Sequence, residues 1–230
     1  RAASGWSAMT GHQRAQVLYF LAENLTYRKQ EFIHLLVCLS GRSQSSAEVE
    51  FEEALSRIFT CAAYADKFEG TVHLPDKNRV ALAMKEALGV IVVAAPEESP
   101  LLGLISTVLA AVAMGNRIVL VPSETYCLIA TNLYQVLDTS DVPGGVINIV
   151  CGPRHELIPT LAGHGDVDGF WCWDSSEVCA EVELLAAENM KRTWLSHGSY
   201  LDWHDEASAS GGEFLERSVE VKNIWVPYGV

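Results

Sequence analysis

The chain has 230 residues, of which 49 % are hydrophobic and 20 % charged, a composition suited to one globular domain with a sizeable core. Its 16 Lys and Arg against 29 Asp and Glu give a formal net charge of −13, which argues against nucleic acid and anionic membrane surfaces as partners. The longest apolar run, residues 101–114, is too short to span a bilayer, which takes about 20 apolar residues. Six scattered cysteines without paired short spacings indicate reduced thiols and a cytoplasmic protein.

The first part of the chain predicts three helices. Apolar residues that recur three and four positions apart predict two helices over residues 11–40, and Ser40-Gly41 ends the second. The same periodicity predicts a longer helix over residues 46–68, closed by Gly70. Together these helices are expected to form one layer.

After the helical layer the apolar pattern changes. Alternation at Val80, Leu82 and Met84 predicts an exposed strand, whereas the continuous run Val90–Ala94 predicts a strand that is buried on both faces. Helices and strands then alternate, which predicts a parallel sheet with covering helices. The predicted helices lie at 101–114, 125–137, 155–163 and 177–190, and the predicted strands at 117–121, 146–150, 167–173 and 193–196.

The last part of the chain predicts a loop and a strand. Residues 202–213 are acidic and predict a loop, in a region 174–220 that holds eleven acidic and three basic residues. Residues 218–226 predict a closing strand in which Val219, Val221 and Trp225 face one way.

Several stretches, in order along nearly the whole chain, resemble the aldehyde dehydrogenase superfamily. They are EALGVIVVAAPEESP (86–100), VLAAVAMGNRIVLVPSE (108–124), VPGGVINIVCG (142–152), GDVDGFWCW (165–173), the pattern that begins at Trp6, and VEVKNIWV (219–226). The resemblance implies an α/β fold with a Rossmann-like parallel sheet and flanking helices. It also implies an N-terminal helical layer and a β arm made by a hairpin near 72–86 and the C-terminal strand.

Within that superfamily the chain looks like the C-terminal non-catalytic (pseudo-enzyme) domain of a family-16-type aldehyde dehydrogenase, and thus a piece of a longer protein. The expected organisation is a truncated cofactor-domain fold over 1–200, an acidic loop over 201–213 and an oligomerisation strand over 214–230. The catalytic domain is expected to be absent.

The resemblance predicts no catalytic residues here. The family's nucleophilic Cys follows a segment that corresponds to residues 194–200, and no Cys occurs after Cys179. Ser196 stands at the position of the general-base Glu, and Glu98 at that of the Asn that stabilises the oxyanion. A nucleophile pair of His197 with Cys172 or Cys179 stays open, although burial of these residues in the sheet is the alternative.

The resemblance also predicts no cofactor, and NAD in particular is not expected. Val121 replaces the Lys that holds the adenosine ribose, and only Glu124 remains as a vestigial ribose acceptor. Glu97 and Asp174 place negative charge where phosphates would lie, and Trp173 adds bulk at the same turn. The histidines lack ligand spacing, so no metal site is predicted.

The arm is the predicted functional surface. Its expected interface residues are Val80, Leu82, Met84, Val219, Val221, Ile224, Trp225 and Val226. The predicted function is a catalytically inactive domain for assembly or scaffolding. Its partner would be an aldehyde dehydrogenase domain of the same chain or of a partner subunit, in a homo-oligomer, and other protein partners are possible. The alternatives are an NAD(P)-dependent oxidoreductase acting on aldehydes, with its Cys supplied elsewhere, and a sensor of another small ligand.

Tryptophans concentrate in the second half of the chain, at positions 171, 173, 194, 203 and 225. Two interpretations have equal weight from the sequence. The indoles either fill the cofactor cleft and cover surface that the catalytic domain would have buried, or form a partner-binding patch.

Overall fold

The N-terminal layer is built from four helices in a computed structural model that describes residues 2–68 and 70–228. The helices are α1 (Ala2–Ala8), α2 (Gly11–Tyr27), α3 (Lys29–Ser40) and α4 (Gln44–Tyr64). Thr10 and Gln13 form a capping box at the start of α2, and Gly41 ends α3 with a φ of 66°. The three predicted helices are confirmed, whereas α1 was not predicted.

A five-stranded parallel sheet forms the centre of the molecule. Its strands are β3 (Val90–Ala94), β4 (Arg117–Val121), β5 (Ile147–Ile149), β6 (Gly169–Cys172) and β7 (Arg192–Leu195), in the order β5-β4-β3-β6-β7. The connecting helices are α5 (Leu102–Ala113), α6 (Cys127–Asp138), α7 (Arg154–Ala162) and α8 (Ser176–Ala186). The predicted α/β class with a parallel sheet and flanking helices is confirmed.

The strand order fixes where a ligand crevice must lie. From β3 the chain proceeds outward through β4 to β5, and it then returns to the other side of β3 to form β6. The loops that follow β3 and β6 therefore diverge at the carboxyl edge of the sheet, which is the usual binding crevice of open α/β sheets. The segment 95–101 leaves β3 at this edge, and Trp173 and Asp174 leave β6 there.

Helix α5 joins the helical layer to the sheet and is buried along its whole length. Trp6 donates a hydrogen bond from Nε1 to the Val112 carbonyl at 3.0 Å, which ties α1 to α5. The Glu50 side chain on α4 is fully buried, and its Oε1 accepts hydrogen bonds from Leu101 N at 2.9 Å and Leu102 N at 3.2 Å. A carboxylate from a different helix thus satisfies the first amides of α5.

The predicted arm is a separate three-stranded antiparallel sheet with the order β1-β2-β8. Strands β1 (Thr71–Asp76) and β2 (Arg79–Ala87) form the hairpin, and β8 (Val219–Pro227) pairs with β2. Val219 is only 4 % exposed and packs in the core, so its prediction as an interface residue is wrong. Val221 and Trp225 were predicted to lie on the same side of β8 as Val219. Both are exposed, whereas Val219 is buried.

The acidic segment that was predicted as a loop over 202–213 contains two short helices, and that prediction is wrong in this part. They are α9 (Glu206–Ala209) and α10 (Gly212–Arg217), so residues 214–217 are helical rather than part of the closing strand. Asp205 caps α9 by accepting from Ala207 N at 3.2 Å. In the predicted ranges 1–200 and 214–230, residues 1, 69, 229 and 230 lie outside the described residues.

One pair of cysteines departs from the predicted reduced thiols. Cys127, the first residue of α6, and Cys151, shortly after β5, form a disulfide across 24 residues of chain. Cys61, Cys172 and Cys179 are free and buried, and Cys38 is free and exposed. Among the described residues, no helix combines the length and the apolar character needed to cross a membrane.

Candidate functional site

A cavity of about 550 Å³ opens at the carboxyl edge of the parallel sheet, and we call it the edge cleft. Its lining comes from the loops after β3, β4 and β6 and from helices α7 and α8. The lining residues are Glu97, Glu124, Thr125, Arg154, His155, Ile158, Pro159, Asp174, Val178 and Glu181. The fold thus gathers predicted site residues that lie up to 77 positions apart in sequence (Glu97 to Asp174).

The most buried charged residue of the edge cleft is Arg154, which is 7 % exposed. Its Nη1 donates hydrogen bonds to the carbonyls of Ala95 at 2.7 Å and Pro122 at 3.4 Å. Its Nη2 donates to Asp174 Oδ2 at 3.0 Å, and Nη1 lies 3.6 Å from Glu97 Oε1. The sequence analysis did not identify Arg154 as a site residue. The one feature of the sequence that could have indicated it is its position at the start of a predicted helix, directly after a strand of the parallel sheet.

The Glu97 carboxylate is held by several donors. Its Oε2 accepts from the Ser123 hydroxyl at 2.5 Å, and its Oε1 accepts from Glu124 N at 2.9 Å. Glu124 in turn accepts from Arg154 N at 3.1 Å through Oε2. The negative charge of Glu97 is therefore partly compensated by local donors.

Asp174 closes the same network from the other side of the cleft. Its Oδ1 accepts from Ser175 N at 2.8 Å, next to the start of α8, while its Oδ2 binds Arg154. Ser196 holds the Asp174 backbone, because its Oγ accepts from Asp174 N and donates to Asp174 O, both at 3.1 Å. Ser196, predicted at the lost general-base position, thus ties β7 to the β6 loop.

Trp173 does not block the edge cleft as predicted, because its indole turns into an aromatic cluster. The cluster consists of Trp171, Trp173, Trp194, Trp203 and Phe214. Trp173 stacks on Phe214 at 6.1 Å and 3°, and meets Trp194 and Trp203 edge-on at 5.2 and 5.4 Å. Four of the five tryptophans therefore cover the sheet flank, whereas Trp225 lies exposed on the arm.

Two other predicted positions, Val121 and Glu98, do not line the edge cleft. Val121 is fully buried as the last residue of β4, so it presents nothing to the edge cleft. Glu98 is exposed in the turn between β3 and α5, beside Glu97. It lines a second, smaller cavity together with Trp173, Asp174 and Ser196.

The buried cysteines are poor nucleophiles. Burial raises the pKa of the Cys172 thiol, and the neighbouring Cys179 raises it further. Burial likewise raises the pKa of Cys61 to about 12. His197 Nε2 lies 3.2 Å from Glu183 Oε1, so the structure pairs it with that carboxylate rather than with Cys172 or Cys179. Among the described residues, no cysteine lines either cavity.

A serine, a histidine and a glutamate form a chain of contacts beside the site. Ser99, with a φ of 47°, has its Oγ 3.4 Å from His204 Nε2, and His204 Nδ1 lies 2.5 Å from Glu53 Oε2. An acyl-transfer triad also needs free amides to hold an oxyanion. The residue after Ser99 is Pro100, which has no N–H, and the next two amides donate to Glu50. We therefore interpret these contacts as structural rather than catalytic, since they hold the segments around Ser99 and His204 against α4.

An open parallel sheet with flanking helices and a crevice at its carboxyl edge, at the point where the strand order reverses, places the chain in the Rossmann-like α/β class. The sequence profile described as "Aldehyde dehydrogenase family" matches residues 1–200. The chain belongs to the aldehyde dehydrogenase family.

The similar proteins are longer than this chain. The NADP/NAD-dependent aldehyde dehydrogenase PuuC of Escherichia coli (strain K12) is 30 % identical over 195 residues, which cover 84 % of this chain and 39 % of PuuC. The chloroplastic betaine aldehyde dehydrogenase of Beta vulgaris is 29 % identical, again over 84 % of this chain and 39 % of the relative. The chain thus spans about two fifths of these relatives.

Solved structures show the same fold. PnpE in complex with nicotinamide adenine dinucleotide matches with a TM-score of 0.82 and 26 % identity, over 85 % of this chain and 40 % of PnpE. A lactaldehyde dehydrogenase structure matches with a TM-score of 0.80 and 28 % identity, over 85 % of this chain and 41 % of that one.

The prediction that no cofactor is involved is wrong. PuuC is named as NADP/NAD-dependent, and the PnpE structure that shares this fold contains NAD. The physical reason for the error is that Glu97, Asp174 and Trp173 were each judged in isolation. Arg154 partly compensates the two carboxylates, and the indole is directed into the aromatic cluster.

Proposed function

We propose that this chain is a non-catalytic aldehyde dehydrogenase domain, of the pseudo-enzyme kind found in family-16-type members, that serves assembly. Its partner would be a complete aldehyde dehydrogenase domain, in the same parent chain or in a partner subunit of a homo-oligomer. The observation that carries this proposal is the exposed apolar face of the three-stranded sheet. Burial of such a face against a second domain is favourable by roughly 25 cal/mol per Å² of apolar surface.

The apolar face of this sheet is defined by the register between its strands. Val72 pairs with Leu82, Leu82 with Ile224, and Val80 with Val226, so these side chains point to the same side. Met84, two residues after Leu82, shares that side. We call these six residues, Val72, Val80, Leu82, Met84, Ile224 and Val226, the arm face.

The arm face is open to solvent in this chain. Val72 is 67 % exposed, Met84 45 %, Val226 40 % and Ile224 36 %. Strand β8 also forms one edge of the sheet and carries apolar residues over most of its nine positions. Because exposed apolar strands of this length promote association with other chains, a protein that keeps one is expected to cover it with a partner.

Absence of catalysis by this chain alone is supported by the site chemistry. Glu98 would place a carboxylate where an oxyanion develops, and Ser196 has no useful basicity near neutral pH. Burial raises the pKa of the Cys61 and Cys172 thiols, which disfavours their thiolates, and Cys127 and Cys151 are joined to each other. Exposed Cys38 lies on α3, which contributes no residue to either cavity.

Charge on the arm face should break the association. We expect the double variant Ile224→Glu/Val226→Glu to weaken self-association, or association with a dehydrogenase domain, by at least about tenfold, because two buried carboxylates would lack partners. Sedimentation velocity over a range of concentrations measures this. The variant should keep the thermal unfolding midpoint of the wild type, since both side chains are exposed.

The matched control is Leu184→Glu. Leu184 is 75 % exposed on α8, remote in sequence from the arm, and this variant should assemble like the wild type. A wild-type chain that stays monomeric both alone and with a dehydrogenase domain would rule out the assembly role. If Leu184→Glu weakened the association as much as the arm-face variant does, the effect would come from added charge in general, and the arm face would not be the interface.

The second candidate is an NAD(P)-dependent oxidoreductase of aldehydes whose Cys comes from another chain, a function favoured by the names of the relatives. The residues of the edge cleft fit a dinucleotide in part. Glu124 could accept ribose hydroxyls, and the N-terminus of α8 and Arg154 offer positive charge to phosphates. A bound nicotinamide would supply hydride acceptance. This chain's residues would bind and orient the dinucleotide.

Removing one carboxylate should strengthen NAD binding. We expect Glu97→Gln to raise the affinity for NAD and NADP about fivefold at low salt, because it removes a negative charge beside the phosphates. The amide keeps an oxygen for Glu124 N and can donate to the Ser123 hydroxyl, so the local hydrogen bonds survive. Titration calorimetry of the two proteins measures the ratio.

Glu188→Gln serves as the control for this measurement, because Glu188 is exposed in the turn after α8 and lines neither cavity. It should bind the dinucleotide as the wild type does. Identical affinities of Glu97→Gln and the wild type would show that the dinucleotide does not approach this carboxylate.

A further inference from the structure

The disulfide between Cys127 and Cys151 lies at the surface, at one edge of the parallel sheet. Cys151 is exposed and Cys127 is partly exposed, and β5, which the chain forms between them, is an edge strand of that sheet. The free thiols of Cys61, Cys172 and Cys179 are buried instead. A thiol reagent in solution can therefore reach this disulfide in the folded chain.

The disulfide joins two segments that flank the edge cleft. Glu124 lines the cleft three positions before Cys127, and Arg154 lines it three positions after the second cysteine, Cys151. The same segments are also joined by hydrogen bonds from Arg154 N to Glu124 Oε2 at 3.1 Å and from Arg154 Nη1 to the Pro122 carbonyl at 3.4 Å. A hydrogen bond to an exposed carboxylate opens readily in water, whereas a disulfide does not, so the disulfide limits how far the segments separate.

The position of Cys127 favours cleavage of this disulfide by a thiolate. Cys127 is the first residue of α6, and Tyr126, the N-cap residue of that helix, makes no side-chain cap hydrogen bond. The first turn of a helix stabilises negative charge, and a thiolate leaves a disulfide more readily when its charge is stabilised. Attack on the more exposed sulfur, that of Cys151, therefore releases Cys127 as the stabilised thiolate.

From these observations we infer that this disulfide is a redox-sensitive constraint on the edge cleft, which a dithiol opens in the folded protein. One thiolate of the dithiol attacks Cys151 Sγ, which breaks the S–S bond and forms a mixed disulfide. The second thiolate of the dithiol then displaces Cys151. The dithiol is oxidised to a disulfide, and its two electrons and two protons reduce the cysteines to thiols.

Reduction is expected to change the structure only locally. It allows residues 122–127 to separate from residues 150–155, which widens the edge cleft on that side. The disulfide lies beyond the ladder of β4 and β5, whose last pair is Leu120 with Ile149, so the sheet itself is kept. The inference is independent of the assembly role, because neither cysteine belongs to the arm face.

Alkylation of the folded chain tests whether the disulfide can be reduced without unfolding. After equilibration with oxidised glutathione, we expect iodoacetamide to label Cys38 alone, and after dithiothreitol to label Cys38, Cys127 and Cys151. Peptide mass spectrometry locates the labels, and circular dichroism shows that the chain stays folded. A disulfide that opens only in denaturant would overturn the inference, and so would two free thiols at these positions after oxidised glutathione.

Hydrogen exchange of the full chain measures the structural consequence. We expect amides within 122–128 and 150–156 to exchange about tenfold faster in the reduced than in the oxidised protein, while those of β3 and β4 stay unchanged. The double variant Cys127→Ser/Cys151→Ser should exchange like the reduced wild type, with or without dithiothreitol. The control Cys38→Ser, which removes the exposed free thiol, should respond to dithiothreitol as the wild type does. Equal exchange in the two redox states, or faster exchange throughout the sheet, would overturn the inference.

Discussion

Replacing Phe214 by Ala should lower the free energy of unfolding by about 3–5 kcal/mol, the range for fully buried aromatic residues. Phe214 is 1 % exposed and contacts all four indoles of the aromatic cluster, with the shortest ring distance, 4.6 Å, to Trp194. Because small domains are stable by about 5–15 kcal/mol, this loss is a large fraction of the total. Urea unfolding followed by far-ultraviolet circular dichroism measures it.

The same substitution should shift tryptophan emission to longer wavelengths before unfolding begins. Trp173 and Trp194 are already half-buried, and the loss of the Phe214 ring would admit water to them. Phe214→Leu keeps most of the volume and should cost less than about 1.5 kcal/mol. Tyr200→Ala removes an exposed aromatic of the neighbouring segment and should be nearly neutral. A Phe214→Ala protein as stable as Tyr200→Ala would mean that α10 does not hold the cluster together.

Helix α10 covers the flank of the sheet next to β6 and β7. Phe214 packs on the indoles from that helix, and the Arg217 guanidinium lies 4.9 Å above the Trp194 ring. The short segment between β7 and β8 thus supplies its own cover for the tryptophans. Because this flank is covered internally, the tryptophans at positions 171, 173, 194 and 203 do not form an exposed partner-binding patch, whereas the arm face stays open to solvent.

The regular elements could be predicted because each has a strong local signal. The predicted bounds of β3 and β4 agree with the structure residue for residue, since continuous β-branched runs between turn residues have few alternatives. Helices α9 and α10 had no such signal. Their contacts with the core are made by Ala209 of α9 and by Phe214 and Leu215 of α10, and an acidic sequence with few apolar residues conceals such contacts.

The candidate site shows the same limit. The positions of Glu97, Glu124 and Asp174 at one edge follow from strand alternation, and the resemblance identified all three. The cofactor prediction was wrong because it left out the positive charge of Arg154. This residue begins α7, 20 positions before Asp174 in the sequence, and only the folded chain brings the two side chains together. Comparing this sequence with the family one position at a time treats the Glu97 and Asp174 carboxylates as free charges. In the folded chain both carboxylates accept hydrogen bonds from neighbouring groups.

Loss of the Glu50 carboxylate is the second large effect that we expect. Glu50→Ala should lower the free energy of unfolding by about 3–5 kcal/mol, because it leaves two buried amides without an acceptor, at about 1–3 kcal/mol each, and removes the charge partner of the half-buried Arg42. Glu50 Oε2 lies 2.5 Å from Arg42 Nη1, and its Oε1 accepts the first two amides of α5. Those amides would be left buried without an acceptor at the start of a helix that has no side-chain cap of its own.

Two further variants separate capping from charge pairing at Glu50. Glu50→Gln keeps an oxygen for the α5 amides but loses the charge, so its cost should fall between those of the wild type and Glu50→Ala. Glu52→Ala, two residues along the same helix, removes an exposed carboxylate that pairs with Lys29, and it should cost less than about 1 kcal/mol. Chemical denaturation of all three provides the comparison. If Glu50→Ala cost no more than Glu52→Ala, the amides of α5 would have another acceptor, and the carboxylate would not be what joins the helical layer to the sheet.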